Sequence, residues 1–179
     1  ISEQLIKYNF VNKKKIINIF NFTKVSEIIL ASKKKFINKK NFKKKFIINL
    51  GSISKQKNQL FLIKSFLTME DNKKYNIFII GQGKEKKKID QFLKIRKIKN
   101  VFIFNPMKNP FNIIKNSCLV VSTSLWEGLP NVILESSIIN SNILTVGSIS
   151  GPQEIKNKGI NINITNFTNL NKTEKNLKK

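Results

Sequence analysis

The sequence predicts an α/β protein, an open doubly wound sheet of parallel strands flanked by helices. Three observations carry that expectation. From Phe46 onward, short apolar runs alternate with longer segments of helical period, the signature of repeated βα units. Hydrophobic residues make up 40% of the 179 residues, enough for one ordinary core. Three chemically loaded loops follow the apolar runs, where an open sheet of this kind places its ligands.

The elements are expected in this order. SEQLIKYN reads as a helix opened by Ser2, KIINIFN as a strand and VSEIIL (25–30) as a short helix before a lysine-rich link. FIINLG (46–51) is a buried strand, NQLFLIKSFLTM (58–69) a helix and YNIFIIG (75–81) a second strand. KEKKKIDQFLKIRKI (84–98) is a helix with Ile89, Phe92, Leu93, Ile95 and Ile98 along one side. VFIF (101–104) is a strand, NPFNIIKN (109–116) a short helix, and CLVVST (118–123) a strand. PNVILESSIIN (130–140) is a helix and NILTVG (142–147) a strand, with the helical turn PQEIKN and the strand ININ closing the regular part. The polar stretch NFTNLNKTEKNLKK is expected to fray.

Thirty-four basic side chains against ten acidic ones give a formal charge of +24, which ordinarily points to nucleic acid or an acidic membrane face. Composition offers a simpler source. Arg96 is the sole arginine, Ala31 the sole alanine, histidine is absent, and Asn, Ile and Lys crowd every segment, as an AT-rich coding bias produces. Lysine also lacks the planar fork that reads bases bidentately, so nucleic acid is not an expected partner. The lysine runs read as solvated faces, with peripheral contact to an anionic membrane as the weaker alternative. Cys118 is alone and sits in the apolar SCLVVS, so it reads as a small hydrophobe in a reducing cytoplasm. No apolar run reaches the roughly 18 residues of a membrane span.

Each loaded loop has a bland and a functional reading. In GSISKQKN (51–58), Gly51 permits a tight turn and Lys57 leans toward an anion at the next helix's N-terminus, unless it is one more surface lysine. GQGKE (81–85) lacks the third glycine of a dinucleotide fingerprint and reads as a plain glycine turn with Glu85 beside the helix dipole, with a direct ligand contact as the weaker alternative. In STSLWEGLPNVILE (122–135), Pro130 suits the first helical position and leaves the amides of Asn131 and Val132 facing an anion. The carboxylates of Glu127 and Glu135 would repel phosphate but accept paired hydrogen bonds from vicinal hydroxyls. Glu135 lies five residues into that helix, roughly 7.5 Å along its axis, with its side chain tilted back toward a ribose. Otherwise Glu127 is a loop acid and Glu135 faces solvent.

The quoted residues resemble a known family. EGLPNVILE is similar to the Glu-x7-Glu element of family 4, the retaining, nucleotide-sugar-dependent glycosyltransferases of GT-B fold. GSISKQKN resembles their Gly-Arg-Leu-x-x-x-Lys-Asn donor loop, YNIFIIGQGKEKKKI their strand-turn-helix, and VFIFNPMKNPFNIIKNSCLVVSTSLWEG the stretch leading to the first glutamate; GPQEI follows in order. The resemblance covers about residues 1–165 and implies a Rossmann-like sheet, the C-terminal half of a GT-B enzyme. It makes residues 1–22 the tail of an N-terminal domain and the crossing strand, 23–165 the donor-binding domain, and 166–179 a truncated polar segment. It gives Glu135 the donor's ribose and Glu127 the sugar side. The diphosphate falls to Lys57 and the turn Gly128, Leu129, Pro130 and Asn131, within reach of Gly51 and Ser52, and the base to main chain near Phe104. Glu127 and Lys57 are then the catalytic candidates. It implies no metal or other cofactor, a hexosyl transfer with retention, a UDP-linked donor, and a cell-surface polysaccharide or lipopolysaccharide acceptor, glycan or lipid-linked.

Two departures stand out. Ser52 replaces the usual arginine, removing a bidentate phosphate clamp. The acceptor residues of a two-domain enzyme would lie upstream of Ile1. Two alternatives share the residues: a sugar-nucleotide epimerase on the same fold, and a non-catalytic basic module that binds RNA or anionic membrane.

Overall fold

The computed structural model describes residues 23–34, 44–139, 142–146 and 150–165. The helix expected at 2–9, the strand at 15–21 and the polar stretch 166–179 lie outside the described residues. Helix α1 spans Val25–Lys33; then follow β1 (Lys45–Leu50), α2 (Gln59–Leu67), β2 (Tyr75–Ile80), α3 (Lys86–Ile95) and β3 (Val101–Phe104). The chain continues through α4 (Phe111–Asn116), β4 (Leu119–Ser122), α5 (Asn131–Ile138), β5 (Ile143–Val146), α6 (Ser150–Asn157) and β6 (Asn163–Thr165).

The six strands form one all-parallel sheet in the order β3-β2-β1-β4-β5-β6. β1 and β2 read as nearly unbroken apolar runs because both faces of the sheet are covered. One face packs Phe46, Ile48 and Phe78 against α4, α5 and α6 through Ile113, Ile133 and Ile155. The other packs Ile47, Ile77 and Ile79 against α2 and α3 through Ile63, Phe66 and Ile89. Each fully buried Ile or Phe contributes about 1.5–3 kcal/mol, so the alternation of strand and helix patterns is enough to specify this layering. The doubly wound expectation holds.

Several boundaries and one packing assignment move. Ile95 is 77% exposed rather than in line with Ile89, Phe92 and Leu93. Six residues beyond Ile89 at about 100° each turn it some 120° away from the core stripe. α1 runs three residues past the expected VSEIIL, and α6 starts two residues before PQEIKN. The last strand begins at Asn163, not at Ile160, because pairing with β5 starts at Leu144 opposite Asn163 while Ile162 is already buried in the approach.

Candidate functional site

In this strand order the chain leaves β1 toward one edge and β4 toward the other, so their carboxyl ends open a crevice. The loops that follow, 51–58 and 123–130, meet across it and are tied together. The Leu125 amide donates to the Gln56 carbonyl at 2.8 Å, and Gln56 Nε2 donates to the Trp126 carbonyl at 2.9 Å. Thr123 Oγ1 donates to the Lys57 carbonyl at 2.9 Å. One strand below, buried Asn49 Nδ2 donates to the Val121 carbonyl at 2.8 Å and braces the strands themselves. Such sequence-distant bonds fix two loops that local propensity alone would leave free.

That clamp brings Lys57 and Glu127 together. The Lys57 ammonium pairs with Glu127 Oε1, and Ser124 Oγ donates to the same oxygen at 2.7 Å. The side chains are only 22% and 11% exposed, so the charges are held in a partly desolvated setting where hydrogen bonds to ions are strong. Gly51 makes room. Its φ of +137° is glycine territory, and a Cβ there would sit 3.3 Å from Lys57 Cε. Of the two expected placements of Lys57, at the start of α2 or across the crevice toward the turn before α5, the structure shows the second.

The N-terminus of α5 forms the next wall. Pro130 caps it in extended backbone (φ −75°, ψ 110°), and its carbonyl accepts from Ile133 N at 3.0 Å, so the helix starts one residue later than expected. Amides of the first turn project from such an end with a partial positive charge. Lys57, Glu127, Leu129, Pro130 and Asn131 line a cleft of about 270 Å³ here. Gly128 faces open space on its Cβ side. Its carbonyl abuts Gly151 at the start of α6 so closely that a Cβ on Gly151 would lie 2.6 Å from the Gly128 carbonyl carbon.

Glu135 opens onto a neighbouring cleft of about 540 Å³, between α5, Phe111 and α1, with Asn131 common to both clefts. Burial pushes its carboxyl above the usual carboxylate range, because the charged form loses hydration there. Lys24, on the same cleft, is paired with Glu27 at 2.8 Å.

Lys57, Glu127, Leu129, Pro130 and Asn131 are thus assembled in one place, with Gly51 packed under Lys57 and Gly128 on the rim. Three candidates are not brought to those walls: Glu135 lines the neighbouring cleft, and Ser52 and Phe104 are engaged elsewhere. Ser52 is exposed with its hydroxyl 3.4 Å from Ser54 Oγ, and its carbonyl takes Gln59 Nε2. Phe104 stacks edge-on against Phe78 at 5.3 Å and its carbonyl accepts from Gly81. Ser124, Gln56 and Gly151 were missed. Nothing local marks Ser124 among its hydroxyl neighbours, and Gly151 is meaningful only once α6 is seen against the Gly128 turn. The glycine turn at 81–83 proves structural: a Cβ on Gly81 would collide with the Gly51 carbonyl, so that turn props up the loop bearing Lys57.

Fold and site together define a Rossmann-like α/β domain of the GT-B kind, with an anion-friendly helix end and acidic flanks at its switch point. The family model "Glycosyl transferases group 1" matches residues 31–178, and the chain belongs to that family. It is 34% identical over 156 residues to an uncharacterized glycosyltransferase, MJ1059, of Methanocaldococcus jannaschii, covering 84% of this chain and 38% of that protein. The chain therefore spans about two fifths of the length of the curated relative it matches. Among solved structures it resembles an S. aureus TarM variant in complex with Fondaparinux, alpha-GlcNAc-glycerol and UDP (TM-score 0.73, 22% identity, 98% of this chain and 34% of that one). Anabaena Alr3699/HepE in complex with UDP and glucose gives a TM-score of 0.73 at 16% identity, over 92% of this chain and 46% of that one.

Proposed function

We propose that this chain is the donor-binding part of a retaining family 4 glycosyltransferase that takes a hexose from a UDP-linked donor. The observation that carries the reading is the convergence of Lys57 and Glu127 beside the N-terminus of α5 at the switch point. The diphosphate sits at the helix mouth, on amides of the Gly128 to Asn131 turn, with the Lys57 ammonium as its counter-charge. As the glycosidic bond to the diphosphate breaks, negative charge grows on the departing oxygen, and these fixed donors stabilise it without reorganising. No metal is needed for that charge. Glu127, held by Lys57 and Ser124, faces the sugar; Glu135 accepts the ribose hydroxyls from the adjoining cleft across Asn131. UDP in the complexes of the TarM variant and HepE supports the nucleotide, and the acceptor is read as a cell-surface polysaccharide or lipopolysaccharide. Residues 23–165 then make up the donor domain. With Phe104 occupied in the core, the base is met by main chain beyond it. Among the described residues no helix is long and apolar enough to cross a membrane.

The test is thermal protection. UDP at 100 times its Kd should add about 2.7 kcal/mol of stability, and Glu135→Ala should abolish most of the shift at the same UDP concentration. Equal shifts in parent and variant would remove Glu135 from the site, and no shift with UDP or GDP would remove the nucleotide reading.

A further inference from the structure

A cleft of about 750 Å³ lies at the other end of the sheet, under the N-terminal ends of β1, β2 and β3. Six strand residues at about 3.3 Å each put it roughly 20 Å from the crevice at the carboxyl ends. Among the described residues its walls carry five cations, Lys44, Lys73, Arg96, Lys97 and Lys99, and no acid. Coding bias does not account for this. The same bias acts on the other clefts, yet the Glu135 cleft has two lysines and two glutamates, the Lys57 cleft one of each, and the cleft by α2 and α3 two lysines and one glutamate. Among the described residues, none of the five cations belongs to an ion pair; nearby Asp71 is taken by Lys74.

Helix chemistry explains only part of the cluster. Arg96 and Lys97 follow the C-terminus of α3, where cations complement the dipole. Lys73 stands in the last turn of the short 3-10 helix Asn72–Lys74, and the Lys44 ammonium donates to its carbonyl at 2.7 Å, whereas Lys99 precedes β3 with no helix end of its own. Lys97 is held in left-handed backbone (φ 52°), with its amide on the Lys94 carbonyl and the Ile98 amide on the Leu93 carbonyl. Glycine or asparagine normally closes such a turn; here a lysine takes the strained position and lines the cleft. Leu67, Ile98 and Phe102 supply a partly buried apolar floor beneath the five exposed cations.

We propose that this cleft binds a phosphoryl anion, either free in solution or as the headgroup of an anionic lipid. The test compares R96Q/K97Q/K99Q with K64Q/K84Q/K87Q, which removes the same charge from exposed positions elsewhere. Inorganic pyrophosphate is titrated by calorimetry, and vesicles of phosphatidylglycerol or phosphatidylcholine are tested by co-sedimentation, both at about 0.15 M salt. At least a tenfold loss of pyrophosphate affinity in the cleft variant alone identifies a soluble phosphoryl ligand. Loss of phosphatidylglycerol binding in the cleft variant alone identifies a lipid headgroup. Equal behaviour of the two triple variants with both probes, or no binding by the parent protein, overturns the proposal. Lys97→Asn, which suits the left-handed turn, keeps the test open if the triple variant fails to fold: it should weaken whichever probe binds at least threefold.

Discussion

Replacing Lys57 by methionine and Glu127 by glutamine, singly and together, tests whether the crevice is held by its central ion pair. Exposed pairs are worth about 0–1 kcal/mol, whereas removing one partner of a fully buried pair costs about 3–5 kcal/mol. With side chains 22% and 11% exposed, this pair falls between those limits. Discounted for that residual solvent, each single change should cost about 1–3 kcal/mol. K57M should cost more than E127Q, because Glu127 is the deeper charge and keeps only part of its support from Ser124, whereas a freed lysine can swing toward water. The double variant should recover at least about 1 kcal/mol relative to the sum of the singles, well beyond the 0.3–0.5 kcal/mol within which independent sites add. Urea unfolding followed by circular dichroism provides the cycle. Additive losses would refute the electrostatic account of the site, and a double variant that still bound UDP like the parent would remove Lys57 from the phosphate.

Three further outcomes follow from the same geometry. Because burial raises the Glu135 carboxyl above its unfolded value, the folded chain holds that proton more tightly, and stability falls as pH rises through the interval between the two values. Glu135→Gln should therefore melt higher than the parent near pH 7, with the advantage gone below about pH 4, while UDP affinity drops about 10- to 100-fold for want of a charged acceptor. Gly151→Ala drives a methyl into the Gly128 carbonyl oxygen, where about 3.5 Å is comfortable. The Gly128 turn must move by about 2 Å, so stability should fall by about 3 kcal/mol or more and UDP protection should shrink further than that loss explains; unchanged melting and binding would show that α6 does not buttress the turn. Trp126 is the sole tryptophan, 60% exposed, and its backbone is clipped to Gln56 one residue from Glu127. Its fluorescence should start red-shifted and change on UDP binding with the same midpoint as the calorimetric titration, and a silent signal would place the loop away from the ligand.

Much of the site was legible because its parts are local. Gly51, Lys57, Pro130 and the two glutamates lie in short stretches whose turn and helix-start chemistry can be read in order. Ser52 and Phe104 were less legible. Whether a residue after a strand turns into the crevice or away from it depends on how its loop is tied, and Ser52 is used by Gln59 while Phe104 is used by Phe78 and Gly81. Ile95 misled for a related reason: it is apolar and near the stripe in sequence but a third of a turn off it in space.

The sequence by itself determined the parallel α/β layering, since apolar strand runs between amphipathic helices can be buried in few other ways, and it determined that an anion-friendly helix end would stand between two acids. Tertiary structure decided the strand order that opens the crevice between β1 and β4, and the clip through Gln56 that puts Lys57 on Glu127. It also gathered Lys44, Lys73 and Lys99 from three strand starts around one basic cleft. The Gln56 clip and the Lys57–Glu127 pair join residues 70 positions apart, and no local preference encodes them; they exist because packing helical layers on both faces of one parallel sheet leaves the chain few ways to bring those ends together.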